Sequence, residues 1–146
     1  MSIWQLVLAI HLLSAVVWVG GMFFAIAVLR PALGVLDAPQ RLVLHVPVLR
    51  RFLLVVWHAM PLLLITGFLM VFGVFGGFAG LPWAVNLMML AGLVMTALFL
   101  VLFFGPWKAM RTAPNPESLE RVRRLITINL WLGMITVVLG ALGHLI

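Results

Sequence analysis

Apolar residues run through this chain in four long blocks, and polar residues gather in the gaps between them. The blocks are Ile3 to Leu29, Phe52 to Phe75, Trp83 to Phe104 and Leu125 to Ile146. At about 1.5 Å per residue, each block is long enough as a helix to cross a hydrocarbon core of roughly 30 Å. None alternates with period two, which argues against a transmembrane barrel. The pattern predicts an all-α integral membrane protein, one domain over residues 1–146, folded as an antiparallel four-helix bundle. The first block has no basic leading region and ends at Arg30-Pro31 instead of a small-residue cleavage site. It therefore reads as a spanning helix and not as a signal peptide.

The connections carry finer signals. Gly76, Gly77, Gly80 and Pro82 mark the turn between the second and third blocks, and Gly105-Pro106 closes the third. Asn115-Pro116-Glu117 supplies a cap residue, a proline at the first helical position and an acid in the first turn. The fourth helix should thus begin before its apolar block. Asp37-Ala38-Pro39 marks a short interfacial helix over 38–46 in the same way. Pro61 removes one backbone bond and should bend the second helix near Trp57.

Composition agrees with this pattern. At 66% hydrophobic and 8% charged, the chain has too few polar residues to coat a water-facing surface. Charge then orients it. Every basic residue lies in one of two connections: Arg30, Arg41, Arg50 and Arg51, or Lys108, Arg111, Arg121, Arg123 and Arg124. Asp37, Glu117 and Glu120 lie there too. The excess of positive charge predicts that both connections are cytoplasmic and both termini periplasmic. A net charge of +6 is here a topology signal and a contact with anionic lipid, not a nucleic-acid footprint. With no cysteine, disulfides, iron–sulfur clusters and thiolate metal sites are excluded. No intramembrane carboxylate, Ser–His–Asp order or phosphate loop marks a hydrolytic enzyme.

In lipid, helices associate through small and polar residues. The fourth helix has Asn129, Gly133, Thr136, Gly140 and His144 on one face; the first has His11, Ser14, Trp18, Gly21 and Ala25. The second offers His58, Thr66, Met70, Gly73 and Gly77. The third offers Asn86, Met89 and Thr96, with Met88, Gly92 and Met95 alongside. These stripes are expected to face one another. Small residues there serve close packing, and most methionines are apolar filling.

An imidazole at membrane depth is costly unless it is paired or used. His11 lies about eight residues, ~12 Å, from the outer end of its helix, and His144 near the outer end of the fourth. His58 lies about seven residues, ~10 Å, from the cytoplasmic end of the second helix. His45 falls in a charged loop and is expected to be solvated. By depth, His11, Asn86, Met70, Met88, Met89 and His144 form an outer-half group, with Met22 and His58 nearer the cytoplasm. Imidazole with thioether suits copper, above all Cu(I). Imidazole on facing helices also suits haem iron, with His11 and His58 as candidate cofactor ligands. A third possibility is a cofactor-free assembly subunit whose histidines only fasten helices.

The segment from His11 through Ser14, Trp18, Gly20 and Gly21, followed by Phe24 and Arg30-Pro31, resembles the first helix of the copper-resistance D (CopD) family of bacterial inner-membrane proteins. Arg51-Phe52, Thr66-Gly67 and the run from Arg121 through Asn129 to Gly133 are also similar, closest to the short four-helix members. The resemblance implies copper uptake or tolerance, with His11 as ligand. Met70, Met88, Met89 and His144 are its candidate partners. The same arrangement is more distantly similar to the HemJ family of haem-dependent membrane enzymes. Relatives of both kinds carry His or Lys early in the third helix, where this chain has Asn86, and that departure weighs against haem. The periplasmic copper-binding module of some CopD proteins is not found in these 146 residues, so the resemblance implies copper delivered by a separate protein.

Overall fold

The computed structural model describes residues 2–145, and side-chain surroundings for residues 2–143. Ser2 opens helix α1 (Ile3–Phe23) with a reciprocal cap: its hydroxyl accepts from the Gln5 amide while the Gln5 side chain accepts from the Ser2 amide. The chain continues helically through a wide π-turn, Phe24–Leu29, into Arg30–Ala32. In that turn the Arg30 amide reaches back five residues to the Ala25 carbonyl.

Asp37 caps helix α2 (Ala38–Gly73) by the same reciprocal device with Gln40. The expected interfacial helix over 38–46 is not separate. It is the first part of α2, whose 36 residues extend ~54 Å, well beyond the hydrocarbon thickness. Neither Pro47 nor Pro61 ends it. Gly76 and Gly77 have positive φ, which side-chain-bearing residues adopt at a cost, and they turn the chain into α3 (Trp83–Phe104). A Cβ at Gly105 would lie 2.8 Å from the Val101 carbonyl oxygen. Glycine therefore permits the break before Pro106 starts a short helix, α4 (Pro106–Thr112). Helix α5 (Pro116–Leu145) begins ahead of its apolar block as expected, with Asn115 Oδ1 accepting the Ser118 amide at 2.8 Å.

The four long helices are each apolar enough to cross a membrane. They pack mainly as two pairs, α1 with α2 and α3 with α5, joined by contacts between α1 and α5. Aromatic edges tie α2 to α3: Trp57 meets Phe99 and Phe103 at centroid distances of 5.4 and 5.2 Å. The outer faces stay apolar, with Leu13, Val16, Leu54, Phe72, Leu90 and Trp131 all exposed. In water such a surface would drive association; in lipid it is the solvated face.

The core sits toward the end that carries the charged connections. Trp18 and Met22 of α1, Leu53 and Val56 of α2, and Phe99 of α3 are almost fully covered, as are Met110 of α4 and Val122 of α5. Gly21 belongs to this packing. A Cβ there would fall 2.6 Å from the Phe52 ring, so glycine lets α1 and α2 close.

Candidate functional site

His11 projects from α1 toward α2. Its Nδ1 lies 3.0 Å from the Leu63 carbonyl oxygen and 3.0 Å from Thr66 Oγ1. A carbonyl only accepts, so the ring proton belongs on Nδ1. Thr66 spends its own proton on the Leu62 carbonyl, at 2.6 Å, and its oxygen is left to share the Nδ1–H. Gly67 lets the ring approach: a Cβ at that position would lie 3.2 Å from His11 Cε1. With Nδ1 held as donor, Nε2 carries a free lone pair in a half-buried position. This is the arrangement in which a metal-binding imidazole is usually held, its far nitrogen fastened to a backbone carbonyl.

Neither Ser14 nor Asn86 is the partner of His11. The Ser14 hydroxyl bonds the Ile10 carbonyl of its own helix at 2.8 Å, and Asn86 is exposed on α3. Met70 is better placed. It is half-buried and lies between two α2 glycines that face α1, Gly67 against His11 and Gly73 against Trp4. Three-residue steps keep all three on one side of the helix.

The other expected ligands are distributed differently. Met88 and Met89 are half-buried on α3, and the Met88 sulfur would lie 3.3 Å from a Cβ at Gly140 of α5. The structure thus places them in the second helix pair. The side chain of His144 is outside the described residues. His58 is exposed, and its Nδ1 donates to the Leu54 carbonyl of its own helix at 2.8 Å. That local bond commits Nδ1 within its own helix and leaves the ring on an exposed face, whereas Met22 is buried in the core.

His45 differs most from expectation. It is not a solvated loop residue but lies on α2, 7% exposed. It continues, one turn earlier, the buried line of Leu49, Leu53, Val56 and Met60. That periodicity was the available signal, masked by the arginines around it. Asn129 is a buried polar group of α5; its Nδ2 donates to the Met95 carbonyl at 3.1 Å, while Oδ1 has no partner among the described residues.

These residues decide what could be held. Among the described residues no three His, Asp or Glu gather as metal ligands, so a hard-ligand site is not built here. In ligand type, an imidazole nitrogen without a partner among the described residues, with Met70 three residues along α2 from Gly67, is compatible with Cu(I), which accepts few, soft ligands. A haem held between His11 and His58 is not built here: His11 turns to Leu63 and Thr66, while His58 is exposed and bonded within its own helix.

Comparison of the chain with curated proteins and with solved structures found no match. The family model described as copper resistance protein D matches residues 46–142. The match begins on α2 and takes in α3, α4 and nearly all of α5, including Thr66, Gly67 and Met70; His11 lies ahead of it. Well over half of the sequence is covered, and with four apolar helices, each fit to cross a membrane, the chain belongs to the CopD family.

Proposed function

We propose that this protein handles copper within or across a bacterial inner membrane, binding it as Cu(I) at His11. The observation that carries this reading is the fastened imidazole. Its Nδ1–H bonds the Leu63 carbonyl, and Nε2 is left as a ligand atom in a region of low polarity. Family membership supplies the metal, and the lack of carboxylate clusters favours its soft, monovalent form. Met70, one helical turn along α2 from Thr66 and Gly67, is the first partner proposed. Met88, Met89 and His144, on the other helix pair, are proposed as later or additional ligands.

The proposed orientation puts the charged connections in the cytoplasm. Copper then enters from the periplasmic side, delivered by a separate copper-binding protein. It passes inward past Met22, Met60 and Met95, which are buried in the core. The test is a titration of the purified protein with Cu(I) against a chromophoric chelator. The parent should bind one ion per chain, and His11→Ala should bind roughly a hundredfold more weakly, about 2.7 kcal/mol. An His11→Ala protein that competes for Cu(I) as well as the parent would end this reading. A Soret band in purified protein would replace it with haem chemistry.

A further inference from the structure

The charged end of the bundle holds a second polar group, unrelated to His11. Where the π-turn, α2 and α5 converge, a cavity of about 30 Å³ is lined on its polar side by Arg30, His45 and Arg123. His45 Nδ1 donates to the Arg41 carbonyl at 2.6 Å. Its Nε2 is therefore an acceptor, 3.5 Å from Arg123 Nη2. Arg123 Nη1 lies 3.8 Å from Glu120 Oε2, a carboxylate that is mostly exposed. The remaining nitrogen, Arg123 Nε, is buried and has no partner among the described residues.

Arg30 and Arg41 are close enough to Arg123 to repel it. Three guanidinium groups thus share one long ion pair, and a buried N–H goes without an acceptor, which native structures rarely leave so. What the cluster lacks is an anionic oxygen. The cavity has room for one such atom or a water, so a larger anion would seat one oxygen inside and remain outside otherwise. Phosphate presents its oxygens in that way and matches the guanidinium fork. The π-turn adds to the case. One extra residue in a turn rotates everything beyond it by ~100°, and Arg30, the first residue past the turn, lines the cavity together with Ala25, Ile26 and Leu29 of the turn itself. These residues lie where α1 leaves its apolar block, at the depth of lipid headgroups.

We infer that Arg30 and Arg123, with His45 and the charge of Arg41 behind them, bind a phosphate group whose oxygen accepts from Arg123 Nε, and that its source is the headgroup of an anionic membrane lipid. The site is independent of copper.

Thermal unfolding of the delipidated full chain in mild detergent, read by tryptophan fluorescence, tests it. Dioleoylphosphatidylglycerol should raise the midpoint at concentrations where dioleoylphosphatidylcholine does not. Arg123→Gln should need about tenfold more of the anionic lipid for the same shift. Arg121→Gln removes the same charge from the exposed side of α5 and should respond like the parent. If Arg123→Gln fails to fold, Arg30→Gln, an exposed residue, should show the same weakened response. Equal responses from the Arg121, Arg30 and Arg123 variants would mean diffuse attraction and overturn the site. Equal stabilisation by sodium phosphate would overturn the lipid source.

Discussion

The two halves of this bundle solve the same problem with opposite means. Toward the charged connections, Trp18, Met22, Leu53, Phe99, Met110 and Val122 make a filled core. Toward the uncharged link, coverage is thin: from α1 only Ser14 is buried, from α2 beyond Met60 only Thr66 and Val71, and from α3 before Met95 only Ala84. Among the described residues each half contains one inward imidazole, and each ring donates Nδ1–H to a backbone carbonyl, Leu63 for His11 and Arg41 for His45. They differ at the other nitrogen. His45 Nε2 faces a guanidinium across 3.5 Å, whereas His11 Nε2 has no partner among the described residues. A ring committed at both nitrogens fastens helices; a ring committed at one can take a ligand. The loosely packed half therefore holds the nitrogen proposed above as the copper ligand, and the packed half supports it.

Exchanging the two rings is the sharpest way to break this contrast. His11→Ala should weaken Cu(I) binding about a hundredfold, while His45→Ala should leave it within twofold of the parent in the same chelator competition. Equal losses would erase the distinction. Next in size is Thr66→Val, which keeps the shape but removes an oxygen 3.0 Å from Nδ1. Outer hydrogen bonds of this kind tune metal affinity by ten- to a hundredfold, and here the Leu63 carbonyl remains, so about tenfold is expected. His45→Ala should instead appear in stability. Removing the acceptor of a partly buried guanidinium should cost about 1–2 kcal/mol, seen as a lower denaturation midpoint with copper binding intact. The smallest effect belongs to His58→Ala. Its ring is exposed and bonded only to Leu54 of its own helix, so both Cu(I) affinity and midpoint should stay within error. A clear copper defect there would mean that His58 works in an arrangement other than this one.

Much of the His11 site was legible because it obeys helix periodicity. His11, Ser14, Trp18, Gly21 and Ala25 were expected on the inner face of α1, and none of them is exposed in the structure. The same rule failed for His58 and Asn86, whose positions fit a stripe but which face outward. In a helix this apolar, mean hydropathy is high all round and the difference between faces is small. Periodicity then selects a line of residues without saying whether a neighbouring helix covers it. His45 and Arg123 were missed for the converse reason. Charged residues surround them in sequence, so His45 looked like a solvated loop residue and Arg123 like one more topology charge.

What the sequence alone determined is the count of spans, their helical character and the gathering of charge at one end. Each follows from a sum along the chain: the cost of placing backbone polar groups and charges in hydrocarbon depends on residue type and length, not on neighbours. Only the tertiary structure decided which helices pair, which carbonyl receives the His11 proton, and that His45 meets Arg123. Those outcomes depend on contacts between residues 52, 55 and 78 positions apart. At such separations a hydrogen bond is set by how small residues such as Gly21 and Gly67 let two helices close, which no local pattern records.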